Sequence, residues 1–139
     1  MCLIASFRTV RHWLMFVLCV AGFSTTLYSQ HMNADDVPCN NHATTVDFSN
    51  CLWKAWKTVD RELNAYYQVV STHVKGGEFE KLRDAERAWI AFRDLNCDAE
   101  KELYDGGTAQ GPVYNACMEA MTRHRLQELK TMYEWRVTK

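Results

Sequence analysis

Four cysteines beyond the N-terminal thirty residues, Cys39, Cys51, Cys97 and Cys117, are the side chains best suited to chemistry in this chain. None stands in the close C-x2-C pairs that structural zinc sites use. An even number of well-separated cysteines in a small chain reads as two disulfides. His31, His42, His73 and His124 fall in no H-E-x-x-H or comparable ligand pattern. Asp35, Asp36 and His42 read as a solvated segment, and Arg123 and Arg125 on either side of His124 oppose a cation there. The sequence carries no G-x-S-x-G nucleophile motif and no glycine-rich phosphate loop. Glu78, Glu80, Asp84 and Glu86 alternate with Lys81, Arg83 and Arg87, as on an exposed helix face. The expectation is a protein that is not an enzyme and holds no metal and no cofactor.

The elements that must position the cysteines are helical. Residues 30–43 are polar, carry Pro38, and read as an extended lead-in tied down by Cys39. Thr44 with Asp47 three positions on fits a capped helix start. Leu52, Trp56, Val59, Leu63, Tyr66, Tyr67 and Val70 then recur every three to four residues, and Gly76-Gly77 ends the run. A second helix is expected over about 78–104, with Leu82, Ala85, Trp89, Phe92, Ala99 and Leu103 facing inward. The glycine-rich stretch Gly106–Gly111 leads to Pro112, well placed in the first turn of a third helix. That helix turns Val113, Cys117, Met118, Met121, Leu129 and Met132 to the core and ends near Trp135. The fold expected over residues 44–135 is all-α, an antiparallel three-helix bundle stapled by two disulfides.

In such a bundle the start of the first helix, the end of the second and the start of the third share one end. Cys51, Cys97 and Cys117 therefore meet, and Cys39 folds back onto them. Helical rotation does not choose among the three possible pairings. Loop entropy favours Cys39–Cys97 with Cys51–Cys117, because longer loops remove more freedom from the unfolded chain. The loop Asp105-Gly106-Gly107-Thr108-Ala109-Gln110 lies at that stapled end and is the candidate partner-binding element.

Residues 1–29 read as a secretory signal peptide. Arg8, Arg11 and His12 precede an apolar run from Trp13 to Phe23, and small or polar residues follow. The run is about half of the roughly 20 residues that span a bilayer, so no stable membrane anchor is expected. Leu18 precedes Cys19, where a lipidation signal wants Gly, Ala or Ser. A periplasmic or secreted location follows. Loss of Arg8 and Arg11 with the signal takes the formal charge from −1 to −3. A mildly acidic chain is a poor nucleic-acid binder and permits a basic protein partner.

A longer pattern runs through the chain: Cys51, Asp60-Arg61-Glu62-Leu63-Asn64, Tyr67, Leu82, Trp89, Arg93-Asp94, Cys97, Cys117, Thr122, Arg125 and Leu129. Its order and spacing resemble the LprI-like lysozyme inhibitor family over roughly Cys39 to Leu129. The resemblance implies an exported helical domain that binds and inhibits a lysozyme, a basic protein. The alternative function is a disulfide-stapled structural or envelope-stress module bound to another envelope protein. Among the residues the pattern selects, Asp60 is expected to meet Arg93 as a partly buried ion pair, with Asn64 bonding across the same interface. Leu63, Tyr67 and Trp89 are expected as core anchors, and Asp94 and Arg125 complete the structural set.

Overall fold

The computed structural model describes residues 31–139, and the signal peptide expected over residues 1–29 lies outside them. Helix α1 (Thr45–His73) begins at Thr44, whose Oγ1 accepts from the Asp47 backbone N–H at 3.1 Å and donates to the Asp47 carboxylate at 2.7 Å. The cap satisfies an otherwise orphaned donor and holds a negative charge at the positive end of the helix. Phe48, Leu52, Val59, Leu63 and Val70 form its buried face. Val74 leaves α1 in extended conformation, and Gly76, at φ 58° and ψ −137°, reverses the chain in a region that a Cβ disfavours. Helix α2 (Gly77–Glu102) and helix α3 (Gln110–Val137) follow, with Pro112 in the first turn of α3.

Consecutive helices run antiparallel, so α1 and α3 lie parallel. Asn115 of α3 donates to the Ser49 carbonyl at 3.1 Å near one end, while Tyr133 and Val137 pack with Val70 and Val74 near the other. Cys97–Cys117, Glu86–Arg125 and Glu78–Arg136 mark the opposite direction of α2 along α3. The expected all-α three-helix bundle with two disulfides is the observed fold, and no strand occurs among the described residues. Helix α3 is the hub. It packs along most of α1, meets α2 more sparsely and touches the turn His31–Asn33, while the α1 and α2 backbones hardly approach each other. Its first half is consequently buried nearly all round, at Pro112, Val113, Ala116, Cys117, Met118, Glu119, Ala120 and Thr122.

The largest apolar cluster joins Val59, Leu63, Val70 and Val74 to Leu82, Leu126 and Leu129. A second joins Phe48, Leu52 and Ala116 to Met32, Val37 and Cys39 of the lead-in. The lead-in is further pinned by Asp36 to Arg123 at 2.8 Å and by His42 stacked on Phe48 at 4.0 Å. The hydrogen bond and charge of Arg123 hold the Asp36 carboxyl below its usual value. This clamp is therefore present above the ordinary carboxyl range and is lost as pH falls through the lowered value.

The inward face expected for α2 is corrected. Leu82 is buried and Trp89 half-buried, but Ala85, Phe92, Ala99 and Leu103 are exposed. The buried residues of α2 are Leu82, Glu86, Arg93 and Cys97. The helix is rotated so that Cys97 reaches Cys117 and its charges reach partners. Met132 is likewise exposed, on a face of α3 that neither other helix covers.

The disulfide pairing favoured by loop entropy is also corrected: Cys39 bonds Cys51, and Cys97 bonds Cys117. Loop entropy acts on the unfolded chain, whereas the pairing follows from which sulfurs the folded chain brings together. Cys39 adopts a left-handed backbone (φ 77°), and its Cα lies 6.0 Å from that of Cys51. The Cα atoms of Cys97 and Cys117 lie 5.5 Å apart between α2 and α3. Peptide mapping without reduction should recover Cys39–Cys51 and Cys97–Cys117 and no free thiol. Each bridge should contribute about 3 kcal/mol, so full reduction should lower the melting temperature strongly; an unchanged melt would contradict this.

Candidate functional site

Arg93 projects from the inward face of α2 and is 8% exposed. Its Nε and Nη2 donate to Asp94 Oδ1 at 3.0 and 2.8 Å, its Nη1 donates to Thr122 Oγ1 at 3.4 Å, and Nη1 lies 3.7 Å from Asp60 Oδ1. The expected Asp60–Arg93 contact is thus present. Thr122 in turn donates to the Met118 carbonyl at 2.6 Å. The Arg93 guanidinium stands 5.1 Å from the Trp89 ring centre, and that of Arg125 stands 5.9 Å from it. Arg125 donates to Glu86 through Nε at 2.9 Å and again through Nη2, and its Nη1 reaches Glu128 at 2.9 Å. Burial opposes the Arg125 charge, yet the hydrogen bonds it donates to Glu86 and Glu128 push the guanidinium above its ordinary value. The buried charges of α2, Glu86 and Arg93, are therefore both paired, the condition under which burying a charge is tolerable.

Asp60, Leu63, Asn64, Tyr67, Trp89 and Arg93 line one groove of about 390 Å³ between α1 and α2. Asp94 and Arg125 join this set through Arg93 and Trp89. The expected role of Asn64 is corrected. Its Nδ2 donates to the Asp60 carbonyl at 2.8 Å, one turn back on its own helix, and lies 3.4 Å from the Asp60 carboxylate. It steadies Asp60 instead of bridging helices. Glu86 was legible only as one of a run of surface charges; the need of Arg125 for an acid was the available signal.

The candidate loop is a separate feature. Leu103 to Ala109 turn tightly, with the N–H groups of Tyr104, Asp105 and Gly107 donating to carbonyls three residues back at 3.0, 3.2 and 2.9 Å. Asp105, Gly106, Gly107 and Thr108 are exposed, whereas Ala109 and Gln110 are half-buried. The loop is shorter than expected. Helix α3 already begins at Gln110, and a Cβ on Gly111 would lie 2.9 Å from Ser49 Oγ. Gly111 permits close approach of α3 to α1. Beneath the loop lie the Cys97–Cys117 bridge and Glu100, which accepts from the His31 backbone N–H at 3.1 Å and contacts His31 Nδ1 at 2.6 Å. His31, Glu100 and Cys117 offer ligand-type atoms within 4.8 Å of one another, but the Cys117 sulfur is spent on Cys97 and supplies no thiolate.

The Glu86–Arg125 pair is the more enclosed of the two ion pairs. Glu86→Ala should cost at most about 3 kcal/mol in urea unfolding, because it leaves the largely buried Arg125 only the exposed Glu128 as counter-charge. Glu86→Leu combined with Arg125→Leu should cost less than Glu86→Ala alone. A double variant no more stable than the single one would contradict this electrostatic account.

A family model described as Lysozyme inhibitor LprI matches residues 39–129. The match contains both disulfides and the whole Asp60–Arg125 cluster. An uncharacterized protein of Rhizobium meliloti (strain 1021) is 28% identical over 109 residues, covering 69% of this chain and 78% of that protein. No solved structure matches. The span and content of the family match show that this chain belongs to the LprI family of lysozyme inhibitors.

Proposed function

We propose that the chain is exported and inhibits a lysozyme in the cell envelope by direct binding, with the Asp105–Thr108 turn as a contact element. The observation that carries this reading is the family match across the stapled bundle. Members of the family are inhibitors, and binding rather than catalysis is the corresponding activity. Two disulfides fit an oxidising compartment. Among the described residues, no helix is long and apolar enough to cross a membrane. Together with the expected signal peptide, these features support a periplasmic or secreted protein.

The turn suits a binding role because its foundation is covalently and ionically fixed. A segment already held in place loses little further freedom on association. Asp105 and Glu102 add exposed negative charge beside it. Opposite charge on a basic lysozyme would speed encounter in a salt-dependent way. A second reading, a stapled structural module that binds another envelope protein, has one observation in its favour: much of the family pattern is engaged in internal pairing around Arg93 and Arg125.

Purified protein should inhibit cell-wall lysis by lysozyme, and less well as ionic strength rises. Asp105→Lys combined with Thr108→Lys should keep the helical spectrum and weaken inhibition at least fivefold. Inhibition unchanged in this variant would place the contact elsewhere. A parent protein without inhibition would remove the lysozyme reading and favour the structural module.

A further inference from the structure

The outward face of α2 is its apolar face. Ala85, Ala88, Phe92, Leu95 and Ala99 follow one another at alternating steps of three and four residues, the spacing of a coiled-coil seam. All five are exposed, Phe92 at 59% and Leu95 at 72%, and Leu103 extends the seam at 72%. At 1.5 Å per residue the stripe from Ala85 to Leu103 is about 27 Å long. A continuous apolar seam of this kind marks a contact surface. The groove and ion pairs described above lie on the opposite, inward side of the same helix.

We propose that this seam is the interface with a second copy of the chain, docked antiparallel along α2. The order of side chains supports the orientation. The central run Ala88, Phe92, Leu95, Ala99 is small, large, large, small in either direction, so a two-fold axis through its middle matches large with large and small with small in reciprocal contacts. Antiparallel docking sets Phe92 against the partner copy's Leu95, and Leu95 against the partner copy's Phe92. Ala88 then meets the partner copy's Ala99, and these small residues let the backbones close in.

Charge at the ends of the seam agrees. Lys81 is exposed at one end, and Glu102 at the other. In this register Glu102 falls opposite the partner copy's Ala85, one turn from the partner copy's Lys81 and about 6 Å along the helix, within the length of a lysine side chain. A parallel pair would oppose like charges at both ends. Along the flank, Asp84 is held by Arg83 at 3.2 Å and Asp98 by Lys101 at 3.0 Å. These acids are offset within their own chain, so they oppose self-association weakly and give a basic partner little to grip. Two helices meeting over this length bury an area near the lower limit for specific interfaces, on the order of 1,200 Å². The dimer is accordingly expected to form in the micromolar range. It would carry its two Asp105–Thr108 turns at opposite ends.

Sedimentation equilibrium of the purified protein across concentrations tests this. A monomer–dimer equilibrium is expected. Leu95→Glu, and independently Phe92→Ser, should weaken dimerisation at least tenfold and leave the helical spectrum and melting of the monomer unchanged. Lys81→Glu should weaken it less, and Lys81→Glu with Glu102→Lys should restore it. A parent that stays monomeric throughout would overturn the proposal, as would a dimer indifferent to Leu95→Glu. A monomeric parent whose lysozyme inhibition is lost with Leu95→Glu would assign the seam to lysozyme instead. Failure of the charge swap to restore association would exclude the antiparallel pairing.

Discussion

Helix α2 is docked through charge. Its buried face offers Glu86 and Arg93 beside only Leu82 and Cys97, whereas α1 buries five apolar side chains. Apolar burial is non-directional and tolerates rotation about a helix axis. A buried guanidinium does not, because turning it away from Asp60 of α1 and Thr122 of α3 leaves it only Asp94 of its own helix. Buried ion pairs contribute modest net stability, yet removing one partner is costly. Glu86 with Arg125, and Arg93 with Asp60 and Thr122, therefore fix the rotation of α2 more than they add to the stability of the fold. Cys97 facing Cys117, the groove between α1 and α2, and the outward apolar seam all follow from that rotation.

The hub position of α3 follows from the same arrangement. The first half of a helix that accepts α1 on one side, α2 on another and the lead-in near its start has little surface left for a polar stripe, which begins only at His124. Glu119 shows how the remaining polarity is handled: it is buried but accepts from Arg123, which also holds Asp36 of the lead-in. One guanidinium thus closes a buried acid and fastens a segment that has little regular structure. The Cys39–Cys51 bridge fastens the same segment to α1, so the lead-in is held from two helices.

The helix boundaries were legible because they rest on local chemistry: the Thr44 cap, the Gly76 reversal, Pro112 in a first turn. The α1 face was legible because its apolar residues do face the core. For α2 the same rule failed. Periodicity identifies an apolar stripe but not which way it points, and the assumption that apolar means inward put Phe92 and Leu103 in the core. Asp60 and Arg93 could be placed together because opposite charges on neighbouring helices have a reason to meet. Glu86 could not, since its partner lies on α3 and its own neighbours read as a solvated face. The disulfide pairing was out of reach for a related reason. It depends on the rotation of α2 and on the left-handed turn at Cys39, and neither leaves a mark in composition or spacing.

The division of labour between the two sides of α2 bears on how the family pattern should be read. Asp60, Asn64, Trp89, Arg93, Asp94 and Arg125 are mutually engaged, so their spacing specifies how three helices sit together. A partner that pulled Arg93 or Glu86 outward would strip a buried charge of its counter-charge, a poor basis for tight binding. Recognition is better served by surface whose use costs the bundle nothing. The turn at Asp105–Thr108 and the seam through Phe92 and Leu95 meet that condition, and both are held in position by the pairs beneath them. Fixed charges inside and unspent apolar surface outside are thus two consequences of one helix rotation.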